Sequence, residues 1–597
     1  MITDVIRKEI QKTFKAVFDW QPTDISITNP EPQFGDFSVS CHQYAQELKL
    51  SPQAIAQKLA DAVASDGSMR AHAVAGHLNI SVDAGVLAKD VLSDVINQDR
   101  HYGESTTNTQ KILLEYSSPN TNKPLHLGHV RNNVLGMSLA QLLASQGAQV
   151  IKTQIINDRG IHIIKSMLAY QKWGHGHTPE EAGEKGDHFV GKFYVMFERE
   201  FEREWQVFLK DNPEVPGLSK EDAAKRRQEF FGESEIGAQA QEMLRKWESS
   251  DKDVMALWKQ MNEWVYSGFY ETYQELGSTF DKDYFESNTY LLGKKIIDEG
   301  IKKGVFYEEG GALWADLTDV GLDKKLVQRS DGTSVYVTQD FGLAVARQKE
   351  FGFDGMVYVV GHEQEYHFKV LFAILKKLGY AWASQLHHLS YGLVFLPEGK
   401  MKSREGKVVD ADTIIAEVTS LAAEEVKKRF PELTDVEILE RAETIGTGAL
   451  KFFLLRVTPT QSIHFNPKEA IAFEGSTGPY VQYAHARITS ILSEETPLEI
   501  GNIHFDRLNT PEEKTLVLKL LQYVDVISGA AEHYNPSAVC NYLIELSHNF
   551  NTFYHEHSVL KAESEELKHS RLLLISAVRI VLRNGLSLLN IKAPEKM

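Results

Sequence analysis

One stretch constrains the fold more than any other: "KILLEYSSPNTNKPLHLGHVRNNVLGMSLAQLLASQGAQVIKTQIIN", residues 111–157. "KILLEY" is a short apolar run. A long amphipathic segment (129–146) follows and stops at Gly147, and "QVIKTQIIN" (149–157) is again strand-like. Strand, helix and strand in close succession form a crossover, and a crossover implies parallel strands. A parallel sheet is covered on both faces, so the rest of the chain must supply helices around it.

A chain of 597 residues exceeds a single hydrophobic core, which predicts three or four domains. Residues 1–100 read as a small α/β unit. It has an N-terminal helix, a turn-rich "NPEPQFGDFS" (29–38), a helix after Ser51-Pro52 and a strand at "HLNISV" (77–82). "NQDRHYGESTTNTQ" (97–110) reads as a linker. Residues 171–275 are charged, tryptophan-bearing and helical in pattern, and are expected to lie as an insertion between the halves of the sheet. Strand signals return at "SVYVT" (334–338), "GMVYVVG" (355–361) and "HLSYGLVFL" (388–396). After 411 the pattern is entirely helical. One helix is marked by Asn535 as N-cap, Pro536, and an apolar stripe of Val539, Leu543, Leu546, Phe550 and Phe553.

The net charge of -18, taken alone, argues against a protein coated in nucleic acid but does not exclude a local basic face. Two cysteines, Cys41 and Cys540, cannot make a CxxC zinc site or a disulfide framework, and point to a reducing compartment. The first 18 residues lack the apolar core of a signal peptide. "RLLLISAVRIVLRNGLSLLNI" (571–591) is broken by Arg579 and Arg583, so it reads as a packed helix and not a membrane span. A cytoplasmic protein is expected.

Two features carry chemistry. His126-Leu127-Gly128-His129 stands where a strand meets a helix. Unpaired helix N–H groups attract anions there, Gly128 leaves room for a ring or phosphate, and two imidazoles can donate to phosphate oxygens. Pro119, Asn120 and Lys123 lie just upstream. The ordinary alternatives are a structural histidine pair or a metal site without an obvious third ligand. The second feature is "PEGKMKSREGKVVDADT" (397–413). It carries Lys400, Lys402 and Arg404 between Gly399 and Gly406, with Lys407 directly after, which suits a polyphosphate that must be gripped and released. Its alternative is a solvated basic loop.

Together these motifs resemble the HxGH element and the KMSK loop of a class I aminoacyl-tRNA synthetase. "EYSSPNTNKPLHLGHVRNN", "YVTQD", "VVGHEQEYHF", "MKSREG", "FEGSTGPYVQYAHARI" and "RNGLSLLNIKAPEKM" resemble the arginyl-tRNA synthetase family over nearly the whole chain. The basic loop departs from that pattern, reading Lys-Met-Lys-Ser-Arg-Glu. The resemblance implies an α/β multidomain protein with four parts. These are an N-terminal tRNA-elbow domain (1–105), a Rossmann-like parallel-sheet catalytic domain (106–410), a helical connecting region (411–475) and a helical anticodon-binding bundle (476–597). It implies ATP-dependent formation of arginyl-adenylate and transfer of arginine to the terminal ribose of tRNA(Arg), with Mg²⁺ accompanying ATP, no zinc, and tRNA needed for activation.

By the same resemblance, Lys123, His126, Gly128, His129, Lys400, Lys402, Ser403 and Arg404 act on the phosphates. Glu115, Ser117, Asn120, Tyr336, Asp340 and Gln364 bind arginine, whose guanidinium demands carboxylates. Asn79, Tyr480, Tyr483, Arg487 and Met597 meet tRNA, with His485 on the same helix as the two tyrosines. A monomer with no membrane contact is expected. Another class I synthetase, or a catalytically silent RNA-binding relative, is the competing reading; two intact histidines, Gly128 and the basic loop weigh against the silent one.

Overall fold

The computed structural model describes residues 2–63, 69–333, 335–396, 409–495 and 500–597. The N-terminal unit is a three-stranded antiparallel sheet of β1 (Phe37–Ser40), β2 (Met69–Val74) and β3 (His77–Val82), with β3 in the middle. Helix Pro52–Ala62 packs on β2 and β3, and Ile2–Phe18 packs against that helix and against Ala84–Gln98. Ser51 caps Pro52–Ala62, accepting from the Ala54 amide, as its Ser-Pro start predicts.

The central sheet has five parallel strands. They are β4 (Lys111–Glu115), β5 (Gln149–Ile156), β6 (Lys282–Phe285), β10 (Gly355–Gly361) and β11 (Leu386–Tyr391), in the order β11-β10-β4-β5-β6. The chain runs outward from β4 through β5 to β6, then returns to β10 on the other side of β4. The strand order therefore reverses between β4 and β10, and such a reversal opens a crevice beyond the carboxyl ends of the strands.

The helix Leu127–Ser145 joins β4 to β5 and is buried on nearly every face, so its polar residues have to bond inside the protein. Gly136 is required in it: a Cβ there would lie 2.2 Å from the ring of Tyr116.

The insertion differs from the expectation in place and in content. Its helices, Ile161–Trp173 through Lys252–Leu276, lie between the adjacent strands β5 and β6, not between the halves of the sheet. β6 is only four residues long and half polar, so periodicity does not reveal it. The charged helices bury an aromatic core that includes Phe193, Phe197, Phe201, Trp205 and Phe230.

Between β6 and β10 lies a small antiparallel sheet of β7 (Phe306–Glu309), β8 (Ala312–Ala315) and β9 (Lys325–Gln328). The expected strand at 334–338 is instead the start of the helix Tyr336–Phe351. Its β-branched residues mimic a strand, and packing against Gly293 and Phe306 overrides that local preference.

Two short strands, β12 (Val394–Phe395) and β13 (Ile463–His464), pair in parallel, so the region after 411 is not wholly helical. Its helices are otherwise as expected: Ala411–Arg429 against Asp435–Leu455, then Gly478–Ser493, Pro511–Glu532, Ser537–Glu556 and Glu565–Leu588. The helix expected from Asn535 starts at Ser537, because the Asn535 side chain accepts from the Ser537 amide and hydroxyl. Residues 571–588 form a buried helix of this bundle, and no helix among the described residues is long and apolar enough to cross a membrane.

The segment read as a linker is docked. Arg583 Nη2 bonds Asp99 at 2.6 Å, Asn584 donates to the Asp99 carbonyl, and the Tyr102 hydroxyl donates to the Leu520 carbonyl.

Candidate active site

β4 ends at Glu115, and the chain then turns through two residues with left-handed backbone, Ser117 (φ 76°) and Ser118 (φ 79°). Two adjacent non-glycine residues in that region store strain, which persists only where surroundings over-determine it. Here they do. The Ser117 amide donates to Asn132 Oδ1 at 2.5 Å, and Asn132 Nδ2 donates to the Val359 carbonyl of β10. On the other side Asn157, just beyond β5, donates its amide to the Pro119 carbonyl and its side chain to the Ser118 carbonyl. The turn is thus stitched to both neighbouring strands across the crevice.

That turn delivers His126 as the N-cap of the helix Leu127–Ser145. The Gly128 amide donates to His126 Nδ1 at 3.1 Å, and the His126 amide donates to His129 Nδ1 at 3.1 Å. The rings lie 3.9 Å apart. Because both Nδ1 atoms accept, the hydrogen-bond network assigns the ring proton to Nε2 on each. Burial, reinforced by the charge of Lys123, pushes His126 down to about 4. Burial, with His126 and Lys123 adding to it, holds His129 well below its usual value. Both imidazoles are neutral Nε2–H donors at pH 7, fixed at a helix N-terminus.

A second group of residues gathers acid. The helix Tyr336–Phe351 carries Asp340, whose carboxylate meets His367 Nε2 at 2.6 Å, and Arg347 seven residues on. Tyr336 is 78% exposed, and Gln364 is exposed in the turn that follows β10. Glu115 is buried, and its carboxylate is paired with the buried guanidinium of Arg347. Burial raises Glu115, Arg347 opposes this, and nearby Asp340 adds to it. Glu115→Gln should destabilise the protein by about 3–5 kcal/mol, because it strands a buried cation. A thermal melt several degrees lower is expected. An unchanged melt with a raised Michaelis constant for arginine would return Glu115 to the substrate.

Glu286, directly after β6, escaped the sequence reading because nothing marks "YFESN" as special. Burial lifts it to about 7; Arg159 opposes that shift, and Asp158 and Asp340 increase it. Asp158, which accepts from the Ser287 amide and hydroxyl, holds this turn in place.

The remaining expected residues divide. Asn120 is exposed and bridges to Asn157. The Ser117 hydroxyl is buried between Tyr273, 2.7 Å away, and Asn133, and supports the turn. Lys123 lies beside both imidazoles, as its charge effect on them requires. Lys400, Lys402, Ser403 and Arg404 lie outside the described residues.

Tyr480, Tyr483 and Arg487 share one half-exposed helix face. Tyr480 accepts from Asn551, and Arg487 lies over Tyr554 at 4.7 Å. His485 is buried against the Pro594 carbonyl. Asn79 and Met597 are buried in the chain by itself. Asn79 is buried on the central strand of the N-terminal sheet, and Met597 packs with Ile438, Ala442 and Ala486.

Among the described residues, the one tight cluster of metal-type donors is Asp187, His188 and Asp412. Lys185 Nζ lies 2.6 Å from Asp412 there, so a cation is already in place.

Three family models match. Residues 1–82 match the arginyl tRNA synthetase N terminal domain, 91–466 the class I (R) tRNA synthetase catalytic domain, and 481–597 the DALR anticodon binding domain. An arginine–tRNA ligase of Parabacteroides distasonis is 44% identical, covering 100% of this chain and 99% of that protein. That of Flavobacterium psychrophilum is 46% identical, covering 100% of both. The Thermus thermophilus arginyl-tRNA synthetase structure superposes with a TM-score of 0.79 at 26% identity, covering 100% of both chains. On the strength of these matches and of the strand–turn–helix site they span, the chain belongs to the arginyl-tRNA synthetase family of class I synthetases.

Proposed function

We propose that this protein joins L-arginine to tRNA(Arg) in two steps. The arginine carboxylate attacks the α-phosphorus of ATP and pyrophosphate leaves. A hydroxyl of the terminal ribose of tRNA then attacks the arginyl carbonyl and AMP leaves. No covalent enzyme intermediate is required, so the protein contributes position and charge stabilisation. The observation that carries this reading is the pair of neutral imidazoles, locked through Nδ1 at a helix N-terminus beside the crevice. Their Nε2–H groups donate to the phosphate oxygens as negative charge builds. The basic segment 397–408 grips the leaving pyrophosphate, and Mg²⁺ enters with the nucleotide and not on a protein cage.

Asp340, with Glu286 as the second acid, receives the guanidinium, while Tyr336 and Gln364 line the approach. A carboxylate pushed up to about 7 by burial and acidic neighbours returns toward its ordinary range when a cation arrives. Tyr480, Tyr483 and Arg487 offer stacking and phosphate contacts to the tRNA.

The test is arginine-dependent pyrophosphate exchange in the presence of tRNA. Exchange driven by another amino acid and not by arginine would overturn the reading. Asp340→Asn should lower kcat/KM for arginine by roughly 10–10² while moving the ATP Michaelis constant little, since a charge-assisted bond is worth about 1.5–3 kcal/mol. Unchanged arginine kinetics would remove Asp340 from the pocket.

A further inference from the structure

Arg131 sits two residues beyond His129 on the same helix, fully buried, and it has no carboxylate partner among the described residues. Its guanidinium donates instead to main-chain carbonyls. Nη1 reaches Gly392 at 2.6 Å, and Nη2 reaches Pro459 at 3.0 Å and Gln461 at 2.7 Å. Burial lowers it only to about 10, so it stays charged at pH 7. Gly392 and the strand β12 lead directly into the basic segment 397–408. A Cβ on Gly392 would lie 2.5 Å from Gln461, so the two carbonyl-bearing stretches are pressed together around the guanidinium. A planar fork with five donors spans three separate carbonyls; a compact ammonium does not.

Where the chain emerges from that segment it returns to the same helix. Asp410 forms a backbone bridge with His126, and the Ala411 amide donates to the Leu125 carbonyl at 2.8 Å. The insertion then clasps the next acid. Asp412 accepts from Lys185 Nζ at 2.6 Å, from His188 Nε2 at 2.7 Å and from Thr272 Oγ1 at 2.8 Å. Burial alone would raise Asp412, but these hydrogen bonds and the Lys185 charge outweigh it and hold it at about 2.

We propose that Arg131 and the Lys185–His188–Thr272 clasp on Asp412 are positioning groups for amino-acid activation. Arg131 moors the stretch that enters the basic segment to the helix that carries His126 and His129, and the clasp moors the stretch that leaves it to the insertion. The inference rests on the reading that this segment grips the ATP phosphates. It gives the insertion a task at the active site: its helices Gly186–Asp211 and Lys252–Leu276, together with Lys185, set the exit end of the segment.

The experiment compares Arg131→Lys, Asp412→Asn, Lys185→Met and the double variant Lys400→Ala/Lys402→Ala, each in the full chain with cognate tRNA. Steady-state exchange gives KM and kcat for ATP and arginine. Calorimetry gives affinity for a non-hydrolysable arginyl-sulfamoyl-adenosine, which lacks the two outer phosphates. Circular dichroism and thermal melting report folding. A misplacement of the gripping groups by about 1 Å should cost roughly 10–10² in kcat/KM for ATP. The arginine KM and the analogue affinity should stay within about threefold, since neither reports on the outer phosphates. Adding Asp412→Asn to the double lysine variant should cost little more, because the acid acts through the segment that variant has already disabled.

Loss of analogue affinity equal to the loss for ATP would mean general damage to the site and would overturn the mooring, as would full additivity. If the double lysine variant keeps normal ATP kinetics, the phosphate-grip reading falls and the mooring falls with it. If Arg131→Lys does not fold, Asp412→Asn and Lys185→Met carry the test, since their side chains are partly exposed.

Discussion

His129→Ala is expected to lower arginine-dependent pyrophosphate exchange by roughly 10²–10³, the usual loss when a preorganised donor to developing negative charge is removed. The geometry sets that size. The ring is fixed by the His126 amide at Nδ1, is neutral, and lies at a buried helix N-terminus, so it meets the phosphate without reorganising. The fold should survive. The substitution removes one capping acceptor, worth about 1 kcal/mol, from a helix whose faces are almost all buried. Circular dichroism should be unchanged, and the loss should fall on kcat more than on either Michaelis constant. Activity within about tenfold of the parent, with an intact fold, would take the imidazole off the phosphate.

Without cognate tRNA, exchange should fall close to background. The physical route runs from the site outward. The helix Ala411–Arg429 starts at the residues that close the basic segment, and it packs along Asp435–Leu455, which in turn contacts the helix bearing Tyr480 and Tyr483. tRNA bound on that surface can bias these two helices and the site they adjoin, a coupling typically worth about 1–3 kcal/mol. A complete on–off response needs direct placement of the terminal adenosine as well. Exchange is therefore to be compared with no tRNA, with cognate tRNA and with tRNA oxidised at its terminal ribose. The oxidised form cannot accept arginine, yet it should restore part of the exchange if its role is to organise the site. Robust exchange in the absence of any tRNA would overturn this dependence.

Much of the catalytic architecture was legible because it is local. "KILLEY", the histidine pair and "QVIKTQIIN" follow one another within 50 residues, and each has a period or a cap that dictates its form. What was not legible depends on distant partners. Glu115 looks like a substrate acid in the sequence, and only the fold brings Arg347, 232 positions later, onto its carboxylate. Arg131 looks like an ordinary helix arginine until carbonyls near 392 and 460 close around it. Met597 and Asn79 bear motif-like surroundings, but their burial is decided by packing that no spacing encodes. β6 was missed because four residues with two charges carry no periodic signal. "SVYVT" misled because local strand preference yields to tertiary contacts.

The docking of the first domain on the last has a consequence for synthesis. Asp99 and Arg583 are 484 residues apart, and the helix Ala84–Gln98 rests against Pro511–Glu532 and Glu565–Leu588. At about 5–20 residues per second, a ribosome needs about 25–100 s to make the second half of that contact after the first has emerged. For that time the N-terminal domain stands on the nascent chain without its cover, and Lys514, which bonds the Asp36 carboxylate at 2.8 Å, does not yet exist. The growing polypeptide completes its oldest domain with its youngest helices, so a chain released early leaves its beginning, as well as its end, unfinished.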